Sequence, residues 1–580
     1  MQKIKSILTL LIIIVSMTFL VGCKQSEPKS KIATGNQINF GVQSIPASLN
    51  MYIDYNTFSI TVCSMMFESL LERDPTTLEI KGKLANKWKV DNDNLLYTFY
   101  LDPNAKWADG SPVTSADVVF TFDTIMNPAN LTSLFRAGYE DCFEYVKAID
   151  ERTVVFKARN KRWLNFDEAM SLTVLPKYLF EGKDFNKDFN ITLPPGSGPY
   201  EIKEIVTDRY ITMKKRHDYW DKARADEQHL NNFEEIKYKV ISEAEIMFEA
   251  LKKGDIDFMG GGSAAQWYTR TVKAPSPQVK NNWIVAKQVY NYHPTSKQFF
   301  HLNLRRPIFQ DIRIRKALNM LLNFDLIREK IMYNQYDRIT SFFPGKFNGE
   351  PPAVDLSYNP ETARELLAEA GWTNVDNEGI LIKDGKRFEI VFTYTDQTLE
   401  KHLTIYKEDC KRVGIELKLD LIAQSAFRKK CFEDRDYDIV WIAWGSPLFP
   451  GIEDGWRSKF ADEPNSNNIS GYKNADLDKL LDQYLVEFDE AKRLDYMRQI
   501  DIMLQNDVPV VMLWTAPYTN FFYWNRFNPT DTFFGKYGDS SSVYSLWSHD
   551  PEKEAALLNA IETGASLPAT PMKYWYEGLE

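Results

Sequence analysis

From residue 38 to residue 580 the chain holds no charge-free apolar stretch of membrane-spanning length, and so many residues cannot share one hydrophobic core. Two or three domains are expected. Strand and helix patterns alternate along this length, which predicts an α/β or mixed fold. Residues 38–42, 153–157 and 415–421 read as strands. Thr114-Ser115-Ala116-Asp117 forms a capping box ahead of Val118, Phe122 and Ile125, which share one helical face. A second helix starts after Ser242 and stops at Gly254, and a third runs from Asn359-Pro360 to Gly371. Leu399, Leu403, Tyr406, Cys410 and Val413 make a helical stripe ended by Gly414. Residues 380–382 and 388–393 flank Asp384-Gly385, a hairpin signal.

The N-terminus carries the other long apolar run. Lys3 and Lys5 precede residues 7–21, which are shorter than a spanning helix and end in a small residue, the pattern of a secretory signal. Leu20-Val21-Gly22-Cys23 resembles the bacterial lipobox, in which the cysteine is lipidated and becomes the first residue. Residues 24–36 are polar and bury almost nothing, so residues 23–36 are expected to be a flexible tether. A lipid beside a tether anchors a protein to a membrane without spanning it.

Lysine and arginine number 70 and aspartate and glutamate 80, a formal charge of −10. Such an acidic surface argues against nucleic acid as a partner. Cys63, Cys142, Cys410 and Cys431 have neither metal-finger nor redox-motif spacing. Outside the cytoplasm they allow three disulfide pairings, or they remain buried thiols, as the place of Cys410 on an apolar stripe suggests. Histidines 217, 229, 293, 301, 402 and 549 are never three or four apart, so no metal-hydrolase motif forms. A nucleophile elbow and a phosphate loop are also missing. Gly260-Gly261-Gly262 lacks a lysine for phosphates and reads as a turn. No catalytic residue, cofactor or metal is expected; the less favoured alternative is an extracytoplasmic hydrolase using an acidic pair. Tryptophan (14) and tyrosine (29) are plentiful enough to wall a ligand site.

A set of motifs, spread in order along the chain, resembles the family 5 extracellular solute-binding proteins, the oligopeptide, dipeptide and nickel binders of ABC importers. They are Met66-Phe67-Glu68-Ser69-Leu70-Leu71, the run Trp107-Ala108-Asp109-Gly110-Ser111-Pro112-Val113 continuing to Phe120, and Gly196-Ser197-Gly198-Pro199-Tyr200. Further on come Ala250-Leu251-Lys252-Lys253-Gly254-Asp255-Ile256-Asp257 and Leu302-Asn303-Leu304-Arg305-Arg306-Pro307. Trp444-Gly445-Ser446-Pro447-Leu448-Phe449-Pro450-Gly451, with Ser341-Phe342-Phe343 upstream, is similar to an oligopeptide-binding subgroup that includes the microcin C importer component. Where that subgroup continues Gly-Asn-Glu-Gln, this chain has Gly451-Ile452-Glu453-Asp454.

The resemblance implies a two-lobed periplasmic-binding-protein type II fold of cluster C. Lobe I would comprise residues 37–66, 186–298 and 515–580, with a small domain inserted at 67–185, and lobe III residues 299–514. It further implies a monomer that is not an enzyme, that binds a peptide or peptide-like solute between closing lobes and that hands it to importer permease subunits. The same fold also serves nickel, haem, opine and oligosaccharide binders. The expected ligand-facing set is Asn303, Trp441, Ala443, Trp444, Gly445, Glu453, Asp454 and Tyr518. Trp441 and Trp444 are expected on one strand face, as core or as ligand wall, where Gly445-Ser446-Pro447 ends the strand at a cleft. In many peptide binders of the family an aspartate three residues after that tryptophan receives the ligand's amine. Here the position is Trp444, which leaves Glu453 and Asp454 as the nearest acids.

Overall fold

The computed structural model describes residues 32, 34–224, 229–347 and 350–579. The signal segment 1–22, Cys23 and most of the tether therefore lie outside the described residues. Among the described residues no helix is long and apolar enough to cross a membrane.

Three sheets organise the chain. The largest has eight strands in the order Lys573–Trp575, Ile284–Tyr290, Thr519–Trp524, Phe258–Gly260, Gln37–Val42, Glu235–Val240, Tyr210–Lys215 and Tyr200–Val206. A five-stranded sheet runs Glu416–Leu421, Glu389–Tyr394, Ile439–Trp444, Lys297–Leu302 and Val510–Met512. A four-stranded antiparallel sheet is built from Ala85–Val90, Leu96–Leu101, Thr153–Ala158 and Phe143–Asp150. Two segments cross between the larger sheets. Val289 pairs with Thr519 on one side and Phe299 with Met512 on the other, so the crossings 291–296 and 513–518 run next to each other.

The predicted helices form for the expected reasons. The helix Ser115–Met126 starts in a capping box: the Asp117 carboxylate accepts from the Thr114 backbone N–H and hydroxyl, both at 2.8 Å. The helix Glu400–Arg412 buries Leu403, Tyr406 and Cys410 against the five-stranded sheet. Asp384 and Gly385 both have positive φ (51° and 73°), as a two-residue hairpin turn requires, and they join Leu381–Lys383 to Lys386–Arg387. The hairpin is shorter than predicted, because Glu389–Tyr394 leaves it to pair in parallel with Glu416–Leu421. All four described cysteines are free and buried.

Two of the motifs quoted above lock the fold. Asp257 and Arg526 form a fully buried pair at 3.2 Å, and Asp257 also accepts from the Asn39 backbone and side chain at 2.8 and 2.7 Å. That network ties three distant segments of the eight-stranded sheet, each member satisfied as a buried charge demands. A Cβ on Gly196 would meet Met66 O at 2.2 Å and one on Gly198 would meet Met65 O at 2.5 Å, so only glycine permits this backbone approach.

Candidate functional site

A strand carries side chains alternately to its two faces, so residues three apart point opposite ways. Trp441 and Trp444 therefore do not share a face of Ile439–Trp444. Trp441 is buried in the core, edge-on to Phe300 and Trp514 at 5.3 Å each, and its indole N–H donates to Gln298 Oε1 at 3.2 Å. Trp444 lies on the other face and borders a cavity of about 690 Å³ that opens to solvent. Trp456, Phe299 and Phe343 supply further apolar wall.

A chain of hydrogen bonds fixes the Trp444 ring. Its indole N–H donates to His301 Nε2 at 3.3 Å, so the imidazole proton sits on Nδ1, which donates to Ser470 Oγ at 3.0 Å. Ser470 in turn donates to Pro509 O at 3.1 Å. Burial, with a smaller contribution from the Lys297 charge, pushes the His301 pKa down to about 3, so the ring stays neutral and this tautomer persists. Trp456 stacks on the same imidazole with centroids 6.5 Å apart.

Two charged side chains line this cavity, Lys297 and Asp454. Lys297 opens its strand and pairs in register with Trp444. Burial pushes its ammonium down to about 8, partly offset by Asp501. It donates a long hydrogen bond to Phe342 O, at 3.4 Å. Asp454 is open to the cavity, yet the surrounding protein withdraws it from bulk water. Desolvation first, then the charges of Glu453 and Asp141, raise its carboxyl above the usual range against the pull of Arg162 and Lys459.

The remaining expected residues scatter. Ala443 and Gly445 are exposed at the strand end, with Gly445 on the cavity wall. Glu453 is instead held by cations: Arg162 at 2.6 Å, Arg457 at 2.7 Å and Lys459 at 3.5 Å. Its charge is already matched three times over and it does not line the cavity. Asn303 is 1% exposed, its amide donating to Arg435 O and Tyr437 O at 3.0 and 2.7 Å, so it serves the fold. Tyr518 lies in the second crossing, donating to Gln335 O at 2.8 Å, and borders a separate 610 Å³ cavity. A third cavity of about 1200 Å³ lies between the crossings and is closed partly by Trp575, Gly578 and Leu579. Among the described residues no group of three or more histidines, cysteines or carboxylates could hold a metal ion.

Sequence reasoning did not select Lys297, His301 or Trp456. A lysine and a histidine interrupting the apolar strand Lys297–Leu302 were the available signal. Their relevance depends on strand pairing, which periodicity alone does not give.

The sequence pattern described as Bacterial extracellular solute-binding proteins, family 5 Middle matches residues 79–462. The chain belongs to this family. It is 27% identical over 513 residues to the probable peptide-binding protein YejA of Agrobacterium fabrum, covering 80% of this chain and 82% of that one. The oligopeptide-binding protein AppA of Bacillus subtilis, solved with a nonapeptide, superposes with a TM-score of 0.69 at 24% identity, over 86% of this chain and 96% of that one. NikZ of Campylobacter jejuni, solved with Ni(L-His), superposes with a TM-score of 0.70 at 21% identity, over 89% and 100% of the two chains. The fold is thus the type II periplasmic binding protein fold, and the chain is an extracytoplasmic solute-binding component of an ABC importer.

Proposed function

We propose that the solute is a peptide, caught between two lobes that close over it and released to the importer's permease. The observation that carries this reading is the cavity at the end of Ile439–Trp444, where aromatic walls meet the carboxylate of Asp454, which has no ion pair or hydrogen bond among the described residues. A peptide's terminal ammonium is the natural partner for such a carboxylate, because a cation taken out of water needs an opposite charge. The names of YejA and AppA support the peptide class. In this reading the eight-stranded sheet forms the core of lobe I and the five-stranded sheet that of lobe III, with residues 67–185 as the inserted domain. The crossings 291–296 and 513–518 are the hinge. The protein acts as a monomer, held at the membrane by lipid on Cys23.

Native mass spectrometry of protein purified from its own host should show a co-purified peptide. Small-angle scattering should give a smaller radius of gyration once that peptide is restored to stripped protein, since contacts to both lobes favour the closed state. A co-purified sugar, opine or metal complex in place of peptide would overturn the reading.

A further inference from the structure

A smaller recess of about 250 Å³ branches from the Trp444 cavity, sharing Lys297, Phe343, Pro447 and Pro450 with it. Among the described residues its polar side chains are those of Lys297, Lys346 and Ser446, and none of its lining residues is acidic. Neither lysine forms an ion pair among the described residues; Asp501 acts on Lys297 and Glu490 on Lys346 only at longer range. The Lys346 ammonium lies 6.0 Å from the centre of the Phe449 ring and within reach of the Glu490 charge. The Ser446 hydroxyl is buried without a hydrogen-bond partner among the described residues. Two ammonium groups and one unpartnered hydroxyl thus border one recess, where the long contact from Lys297 to Phe342 O, at 3.4 Å, is the one hydrogen bond that these groups make among the described residues. A buried hydroxyl without a partner carries the desolvation cost of the group unless something fills its need. Asp454 stands apart from them on the wall of the main cavity, with the opposite charge.

We propose that this recess binds a carboxylate of the ligand, through Lys297, Lys346 and Ser446, while Asp454 holds its ammonium. The inference rests on the peptide reading and deepens it: the preferred solute is a short zwitterionic peptide bound in one direction, amine at Asp454 and carboxylate at the recess. Burial lowers both lysines from their ordinary range, which suits groups completed by an incoming anion. The ring face of Phe343, 5.7 Å from the Lys297 ammonium, helps hold that cation in the free protein.

The test is calorimetry on alanine oligomers of three to six residues, each as the free acid, the C-terminal amide and the N-acetyl form. Alongside them runs an amide series ending in aspartate, which moves the carboxylate from the terminus to a side chain. Wild-type protein should bind the free acid at least tenfold more tightly than the alanine amide. The aspartyl amide should recover affinity only if the recess also takes a side-chain carboxylate, and either source of carboxylate supports the proposal. The double variant Lys297→Met, Lys346→Met should bring acid and amide within about twofold while keeping the preference for a free over an acetylated amine. Lys297→Arg should retain the acid preference. Equal binding of all carboxylate and amide forms by wild type, or an acid preference that survives in a double variant whose melting temperature is not lowered, would overturn the recess assignment alone. Failure of every oligomer to bind would overturn the peptide reading and the assignment with it.

Discussion

Arg162 reaches Glu453 at 2.6 Å across 291 positions of sequence, joining the segment that carries the four-stranded sheet to the loop after Ile439–Trp444. Beside it the Trp163 backbone N–H donates to Leu485 O at 3.1 Å, and the indole sits edge-on to Tyr484 at 5.7 Å under the Arg493 guanidinium. The charge pair and the ring dock one unit on the other. Glu453→Gln removes the carboxylate from three cations, which costs on the order of 1–3 kcal/mol for a partly buried pair. If docking is part of closure, ligand affinity should fall about 5- to 150-fold and the liganded protein should scatter as a larger particle. Unchanged affinity and radius would show that this contact is independent of closure.

Asp454 should decide whether the ligand's amine matters. Wild type is expected to prefer a peptide with a free amine over its acetylated form by about ten- to a hundredfold, 1.4–2.7 kcal/mol, and Asp454→Asn should flatten that ratio. Since the carboxyl is held above the usual range, the preference should fade with acidification earlier than an ordinary aspartate would allow. A preference that persists in Asp454→Asn would exclude Asp454 as the amine's partner.

Lys297 has its ammonium lowered to about 8, against roughly 10.4 in the unfolded chain. Between these values the unfolded state binds more protons, so this group's contribution to stability rises with pH across that window. Asp501 and His301 interact with its charge, and Lys346 and Asp454 line the cavities that it borders. Lys297→Met should raise the melting temperature near pH 7, by an amount equivalent to about 1–3 kcal/mol. The gain should shrink as pH approaches 10. A variant less stable than wild type at pH 7 would mean that the lysine's packing outweighs its desolvation.

The described cysteines should be silent in the folded protein. Burial pushes the thiols of Cys63, Cys142 and Cys431 up to about 12, and that of Cys410 higher still, so little thiolate exists at neutral pH. A thiol reagent should modify none of the four in native protein and all four in denaturant, and a reductant should leave the melting temperature unchanged. Cys23 is a separate case. Cys23→Ser should release the protein from membranes if that thiol is the lipid acceptor, and continued sedimentation with membranes would exclude the anchor.

The sequence patterns legible in advance were those with local causes. Thr114 and Asp117 announce a helix start because their mutual hydrogen bonds span only three residues. Asp384-Gly385 announces a turn because both need positive φ. The cavity is different: Lys297 meets Trp444 through an antiparallel register between strands separated by over a hundred residues. Asp454 and Glu453 are adjacent in sequence, yet one faces open space and the other faces three cations, a distinction that depends on Arg162 arriving from far upstream. The same-face expectation for the two tryptophans failed on local grounds, since a separation of three conflicts with the strand period of two.

The eight-stranded sheet draws its members from near both ends of the described chain, with Gln37–Val42 at its centre and Lys573–Trp575 at its edge. Phe258–Gly260 lies between a strand near the start and Thr519–Trp524 near the finish. No ribosome or export channel can therefore release a finished version of this sheet in instalments. Its pairings are among the most non-local available to a chain of this length, which makes its assembly late and slow relative to the locally connected Ala85–Ala158 region. A chain that stops short of residue 519 leaves the middle of the sheet as two raw edges, ready to pair with a neighbour.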